Sequence, residues 1–151
     1  MSSKMTVQKK KVLFLCTHNS ARSQMAEGLL RAIYGDRYEA YSAGVEATMV
    51  DPRAVSVMRE MGIDISGQHS KSVEELEKTI FDLAVTVCDR ARQACPICSV
   101  DLDLPTPAPK AIEVIHRSFE DPADVSGPKE AQLEAFRRVR DEIREWIIQT
   151  F

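Results

Sequence analysis

No apolar run in this chain approaches the length that crosses a bilayer. It has no excess of charge either: 20 Lys and Arg stand against 23 Asp and Glu, for a formal charge of -3. That balance speaks against a nucleic-acid partner and against a polybasic membrane contact. Met1 to Lys10 is polar and basic with no apolar centre, so it is not a secretory signal. It reads as a frayed lead-in to the first strand. Internal repeats and low-complexity tracts are absent. Only three histidines are present, His18, His69 and His116, which leaves little for a zinc site.

What remains is an ordinary composition, 44% hydrophobic and 28% charged over 151 residues, which suits one domain (1–151) with a single core. The four cysteines are Cys16, Cys88, Cys95 and Cys98. Without a secretory signal the expected compartment is the reducing cytoplasm. Clustered cysteines there are redox-active, catalytic or metal-binding.

Lys11 to Gly28, KVLFLCTHNSARSQMAEG, carries the strongest local signal. Val12 to Leu15 is a short apolar run suited to a buried strand, and it ends at Cys16. Thr17, His18, Asn19, Ser20 and Ala21 form a small polar turn, followed by Arg22 and Ser23. Gln24 to Ala32 then reads as a helix with Met25, Leu29, Ala32 and Ile33 on one face. A strand, a tight turn and a helix N-terminus bring backbone N–H groups and a positive dipole end together, which suits an anion. The same groups and Arg22 favour the thiolate of a cysteine placed there. Arg22 can fork two donors onto an oxyanion, and Ser23 can donate to the sulfur. A buried cysteine beside a solvated arginine is the plainer alternative, but the Cys-x5-Arg-Ser spacing in register with strand and helix outweighs it.

Further along, Tyr38 to Ala43 reads as a second strand ending at Gly44. Asp51-Pro52 opens a helix with Ala54, Val57, Met58 and Met61 on its core face and Gly62 as its stop. Ser72 and Glu75 have capping-box spacing. Phe81 to Val87 is a third strand running into Cys88. The prolines at 96, 105, 107 and 109 rule out a continuous helix over 89–109, so that stretch reads as a functional or mobile segment. Ala111 to Ile115 is a fourth strand, Phe119 to Pro122 a turn, and Lys129 to Ile148 a long helix. Leu133, Phe136, Val139, Ile143, Trp146 and Ile147 form its stripe. Alternating strands and helices predict a parallel, doubly wound sheet, with ligands beyond the strand ends. Cys16, Cys88 and Asp121 all follow strands and should share one edge.

The segment KVLFLCTHNSARSQMAEG resembles the low-molecular-weight protein tyrosine phosphatase superfamily, which includes the thioredoxin-coupled arsenate reductases. The resemblance covers nearly the whole chain from Lys11. It implies a three-layer α/β/α fold on a four-stranded parallel sheet. It also implies Cys16 as nucleophile, Thr17, His18, Asn19, Ser20, Ala21 and Arg22 as the oxyanion cradle, Asn19 as the side chain that shapes it, and Asp121 of Asp121-Pro122 as general acid. The reductases of the superfamily carry a second cysteine after the third strand and a third one seven residues later, and Cys88 and Cys95 occupy those places. IHRSFEDPAD also resembles the reductase acid loop, because phosphatases follow Asp-Pro with aromatic residues and here Ala123-Asp124 follows.

The implied activity is reduction of arsenate to arsenite through a Cys16 adduct and a Cys16/Cys88/Cys95 disulfide relay, recharged by thioredoxin or a similar dithiol protein. The expected state is a cytoplasmic monomer with no cofactor, no metal, no nucleic acid and no membrane. A low-molecular-weight tyrosine phosphatase is the alternative enzyme, and a non-catalytic oxyanion or thiol sensor the alternative from another class. Cys98 departs from the pattern and stays open between a second resolving partner, a spare thiol and half of a metal site. Potassium-activated members carry Thr and Asp where this chain has His69 and Lys71. No potassium activation is therefore expected, with the Lys71 ammonium either standing near Glu27 and Ser42 or solvated.

Overall fold

A computed structural model of the protein describes residues 8–76, 78–87 and 110–151. Four strands form one parallel sheet in the order β2-β1-β3-β4. They are β1 (Lys10–Cys16), β2 (Tyr38–Gly44), β3 (Ile80–Thr86) and β4 (Lys110–His116). Among the described residues three α-helices accompany them: α1 (Arg22–Tyr34), α2 (Pro52–Arg59) and α3 (Lys129–Thr150). This is the parallel α/β architecture that the alternating pattern predicts.

β1 is central because Leu13, Phe14 and Leu15 are fully buried, each contributing about 1.5–3 kcal/mol over an exposed position. It starts at Lys10, inside the segment expected to fray, since Lys10 N–H donates to the Arg37 carbonyl (3.2 Å) and the residue pairs with Tyr38. α1 begins at Arg22 rather than Gln24, and its buried face is broader than expected. Gln24, Ala26, Glu27, Gly28 and Leu30 join Met25 and Leu29, while Ala32 is exposed because the last turn runs out to solvent. Gly28 lets α1 approach its neighbours: a Cβ there would stand 2.6 Å from Cγ2 of Ile65.

The capping signals hold. Asp51 caps α2 by accepting from Arg53 N–H (2.8 Å), with Pro52 in the first turn. α2 itself stops at Arg59, and Gly62 follows with φ +76°, a left-handed turn that glycine adopts without strain. At the 3₁₀ turn Val73–Leu76, Ser72 N–H donates to Glu75 Oε2 (3.0 Å) while the Ser72 hydroxyl accepts from Glu74 N–H (3.2 Å), one residue short of the capping-box partner. On α3, Phe136, Val139, Ile143 and Ile147 are fully buried, while Leu133 and Trp146 are half-buried at the margin. Arg140, within that stripe, is tolerated because its guanidinium donates to the Val57 carbonyl and to Glu60 and Asp141.

Candidate functional site

The loop between β1 and α1 turns around Cys16, Thr17, His18, Asn19, Ser20 and Ala21. Its tightness comes from Asn19, which sits at φ 51°, a left-handed conformation asparagine tolerates better than most residues. Its carbonyls are taken up from outside. Thr17 O accepts from Glu46 N–H (2.8 Å), Ser20 O from Asp51 N–H (2.9 Å), and His18 O from Thr48 N–H (3.2 Å) and the Ser70 hydroxyl (2.8 Å). Holding the carbonyls outward on the β2–α2 segment turns the loop's N–H groups toward its centre, as an anion cradle requires. Ala21 gives α1 no side-chain cap, so no side chain competes there for the first-turn donors.

Cys16 is 3% exposed, and its sulfur lies 2.8 Å from the Ser23 hydroxyl. Asn19 Nδ2 donates to that same hydroxyl at 2.8 Å. Arg22, at the far end of the loop, donates to the Phe119 carbonyl (3.0 Å) and places Nη2 3.4 Å from Oδ2 of Asp121. Asp121 accepts from Ala123 N–H through Oδ1 (3.0 Å), which caps the 3₁₀ turn Pro122–Asp124 and fixes the carboxylate. Cys16 and Arg22 therefore stand at the two ends of one loop, and Asp121 joins them through its pair with Arg22. The expected residues Cys16, Thr17, His18, Asn19, Ser20, Ala21, Arg22, Ser23 and Asp121 come together. His18 points outward, with Nε2 3.7 Å from Glu46 Oε1. Cys88, Cys95 and Cys98 lie outside the described residues. Val87 N–H, immediately before Cys88, donates to the Leu15 carbonyl at 2.8 Å, immediately before Cys16.

Beneath the loop, Glu27 accepts from the Ser42 hydroxyl and from Arg31, and Lys71 Nζ stands 3.9 Å from Glu27 Oε1. Burial lowers the Lys71 pKa, with Glu27 and Glu75 opposing the shift. Its ammonium supplies the positive charge beside Glu27, so these residues do not fit a potassium ion at that point. Among the described residues no group of three His, Cys, Asp or Glu is arranged to hold a metal, and no helix is long and apolar enough to cross a membrane.

Two further residues, neither of them marked by a motif, shape the site. Gln24 is a fully buried amide whose Nε2 bonds Asn19 and the His69 carbonyl. Gly44 faces the loop so closely that a Cβ would clash with its backbone. A glycine ending the strand beside Cys16 is the available signal for the second; nothing local marks the first.

Comparison with known proteins agrees with this geometry. Residues 11–151 match the family described as low molecular weight phosphotyrosine protein phosphatase. The arsenate reductase of Halalkalibacterium halodurans is 46% identical over 137 residues, 91% of either chain. The crystal structure of an arsenate reductase from Archaeoglobus fulgidus superposes with TM-score 0.64 at 35% identity, covering 91% of this chain and 96% of that one. The low molecular weight protein tyrosine phosphatase of T. tengcongensis superposes with TM-score 0.69 at 29% identity, covering 93% and 97%. The chain belongs to the low molecular weight phosphotyrosine protein phosphatase family.

Proposed function

We propose that the protein is an arsenate reductase. The observation that carries this function is one anion loop with the Cys16 sulfur, bonded to Ser23, at its start and Arg22, paired with Asp121, at its end. The 46% identity to an arsenate reductase supports the branch. Arsenate binds in the cradle of Thr17, His18, Asn19, Ser20, Ala21 and Arg22. The Cys16 thiolate attacks arsenic, and one oxygen leaves as water with the proton of Asp121. Cys88 then attacks the Cys16 sulfur. The sulfur–arsenic electron pair stays on arsenic, arsenite departs, and a Cys16–Cys88 disulfide remains. Cys95 attacks Cys88 and frees Cys16, and a dithiol protein such as thioredoxin reduces the Cys88–Cys95 bond. The bond between Val87 and Leu15 supports the attack of Cys88 on Cys16, because it ties the chain leading to Cys88 beside the chain leading to Cys16. A single domain working as a cytoplasmic monomer completes the proposal.

Mass-spectrometric disulfide mapping after one arsenate turnover tests substrate, reaction and relay together. The expected product is a Cys88–Cys95 bond with one arsenite per chain, and Cys88→Ser stops arsenite release. Arsenite released undiminished by Cys88→Ser removes that residue from the scheme. The family's phosphatases share the Cys16, Arg22 and Asp121 pattern, so the rival function is that of an aryl phosphatase. Efficient aryl-phosphate turnover that survives loss of both Cys88 and Cys95 would favour it.

A further inference from the structure

Behind the anion loop, side chains from α1 and from the segment before Val73 form a continuous hydrogen-bonded file. Arg31 Nη1 donates to Gln68 Oε1 (3.1 Å). Gln68 Nε2 donates to Gln24 Oε1 (2.7 Å), and Gln24 Nε2 to Asn19 Oδ1 (2.8 Å). Asn19 Nδ2 donates to Ser23 Oγ (2.8 Å), which lies 2.8 Å from the Cys16 sulfur.

The direction of this file is fixed chemically. A guanidinium only donates, so Gln68 must present its oxygen to Arg31 and its nitrogen to Gln24. The His69 carbonyl, which only accepts, faces Gln24 Nε2 at 3.1 Å and sets that amide the same way. Lys71 N–H, which only donates, reaches Asn19 Oδ1 at 2.9 Å and fixes the third amide. Asn19 donates into the Ser23 oxygen, and an ionised Cys16 sulfur can only accept, so toward the thiolate the serine proton is the donor. Every donor points toward Cys16.

We propose that Arg31, Gln68 and Gln24 are positioning residues for Cys16, forming with Asn19 and Ser23 a one-way chain of donors that ends on the sulfur and holds it as a thiolate. This rests on Cys16 being the nucleophile. Aligned hydrogen bonds polarise one another, by about 10–30% per bond, so the guanidinium at the far end strengthens the last donor as well as the first. The chain also accounts for Gln24: an amide 0% exposed in α1 is costly unless both ends are satisfied, and here they are.

The test uses the full chain with Cys88, Cys95 and Cys98 replaced by Ser, so that Cys16 is its one thiol. Thiolate absorbance and the rate of iodoacetamide alkylation are read as a function of pH in Gln68→Leu, Gln68→Glu and Gln24→Leu. Gln68→Glu keeps the shape and still accepts from Arg31 but cannot donate to Gln24. The midpoint of both profiles is expected to move to higher pH in each, and alkylation below that midpoint to slow by up to about twofold, the share of one hydrogen bond that polarisation passes on to the sulfur. A purely structural role would lower the melting temperature and leave both signals unmoved. Unchanged thiolate signals in the two Gln68 variants overturn the proposal. Gln68 is half-buried, so that outcome does not depend on whether Gln24→Leu folds. Neither readout involves arsenate: failure of the reductase assignment leaves this result standing, and the reverse also holds.

Discussion

A Cβ on Gly44 would stand 2.7 Å from the backbone nitrogen of Asn19, closer than such contacts allow. Thr17 O and His18 C would lie at 2.8 and 2.9 Å, so the obstruction is backbone on every side. Gly44 is also paired with Cys16 in the sheet and donates to the Lys71 carbonyl at 2.9 Å, so it cannot retreat. The loop must move instead. Gly44→Ala is expected to lower kcat/KM for arsenate about a hundredfold, the cost of an ångström-scale misplacement. It should also abolish the rise in melting temperature on adding phosphate. A near-native KM in that variant would show that the loop tolerates the shift.

Replacing Asp121 separates proton delivery from binding. The carboxylate contacts Arg22 at 3.4 Å, so Asp121→Asn removes the acid without removing the arginine's other partner, the Phe119 carbonyl. The expected result is a kcat reduced by about 10²–10⁴ with KM unchanged or lower. A rise in KM alone, with kcat intact, would assign Asp121 to binding.

The distribution of what is legible in the sequence follows from distance along the chain. Cys16, Arg22 and Ser23 lie within eight positions, and a strand-turn-helix pattern places them together without tertiary information. Asp51-Pro52 and Ser72/Glu75 are legible for the same reason, since a cap bonds its own first turn. Gln24 meets Gln68 across 44 positions and His69 across 45, and a glutamine on a helix reads by default as a surface residue. Gly44 acts through the absence of a side chain, which leaves no periodic trace. The broader buried face of α1 is hidden for a related reason: Ser23, Gln24 and Glu27 are polar, and their burial depends on partners contributed by the loop, the segment before Val73 and β2.

Trp146 should report on the site although it touches no proposed catalytic group. Its ring meets Phe119 edge-on at 6.0 Å, and the Phe119 carbonyl accepts from Arg22. An oxyanion that recruits the Arg22 guanidinium alters that bond and the packing of the ring. Phosphate or arsenate is expected to change tryptophan emission saturably in the native protein. Arg22→Lys, which cannot make the same fork, should abolish the change. Emission that ignores saturating phosphate would uncouple Phe119 from the arginine.

Tyr41 ties stability to alkaline pH. Burial first, and then the hydrogen bond and charge of Glu39, raise its pKa to about 12. The unfolded phenol ionises near 10, so above that pH the unfolded state loses its proton first. The stabilisation is complete below pH 10 and is lost as pH rises toward 12. Denaturant midpoints should fall across that window, and Tyr41→Phe should flatten the fall.

Lys71 decides the response to monovalent cations. Its ammonium lies 3.9 Å from Glu27, whose carboxylate is already bonded by Ser42 and Arg31. A potassium ion there would meet a fixed positive charge in a partly desolvated setting, where repulsion is poorly screened. Exchanging sodium for potassium at constant ionic strength is expected to leave arsenate kinetics unchanged. Lys71→Asp combined with His69→Thr removes the ammonium and supplies oxygen ligands of the kind that potassium-activated relatives carry. That double variant should gain a potassium-dependent rise in kcat/KM. Strong potassium stimulation of the native protein would mean that the ammonium leaves Glu27 in solution.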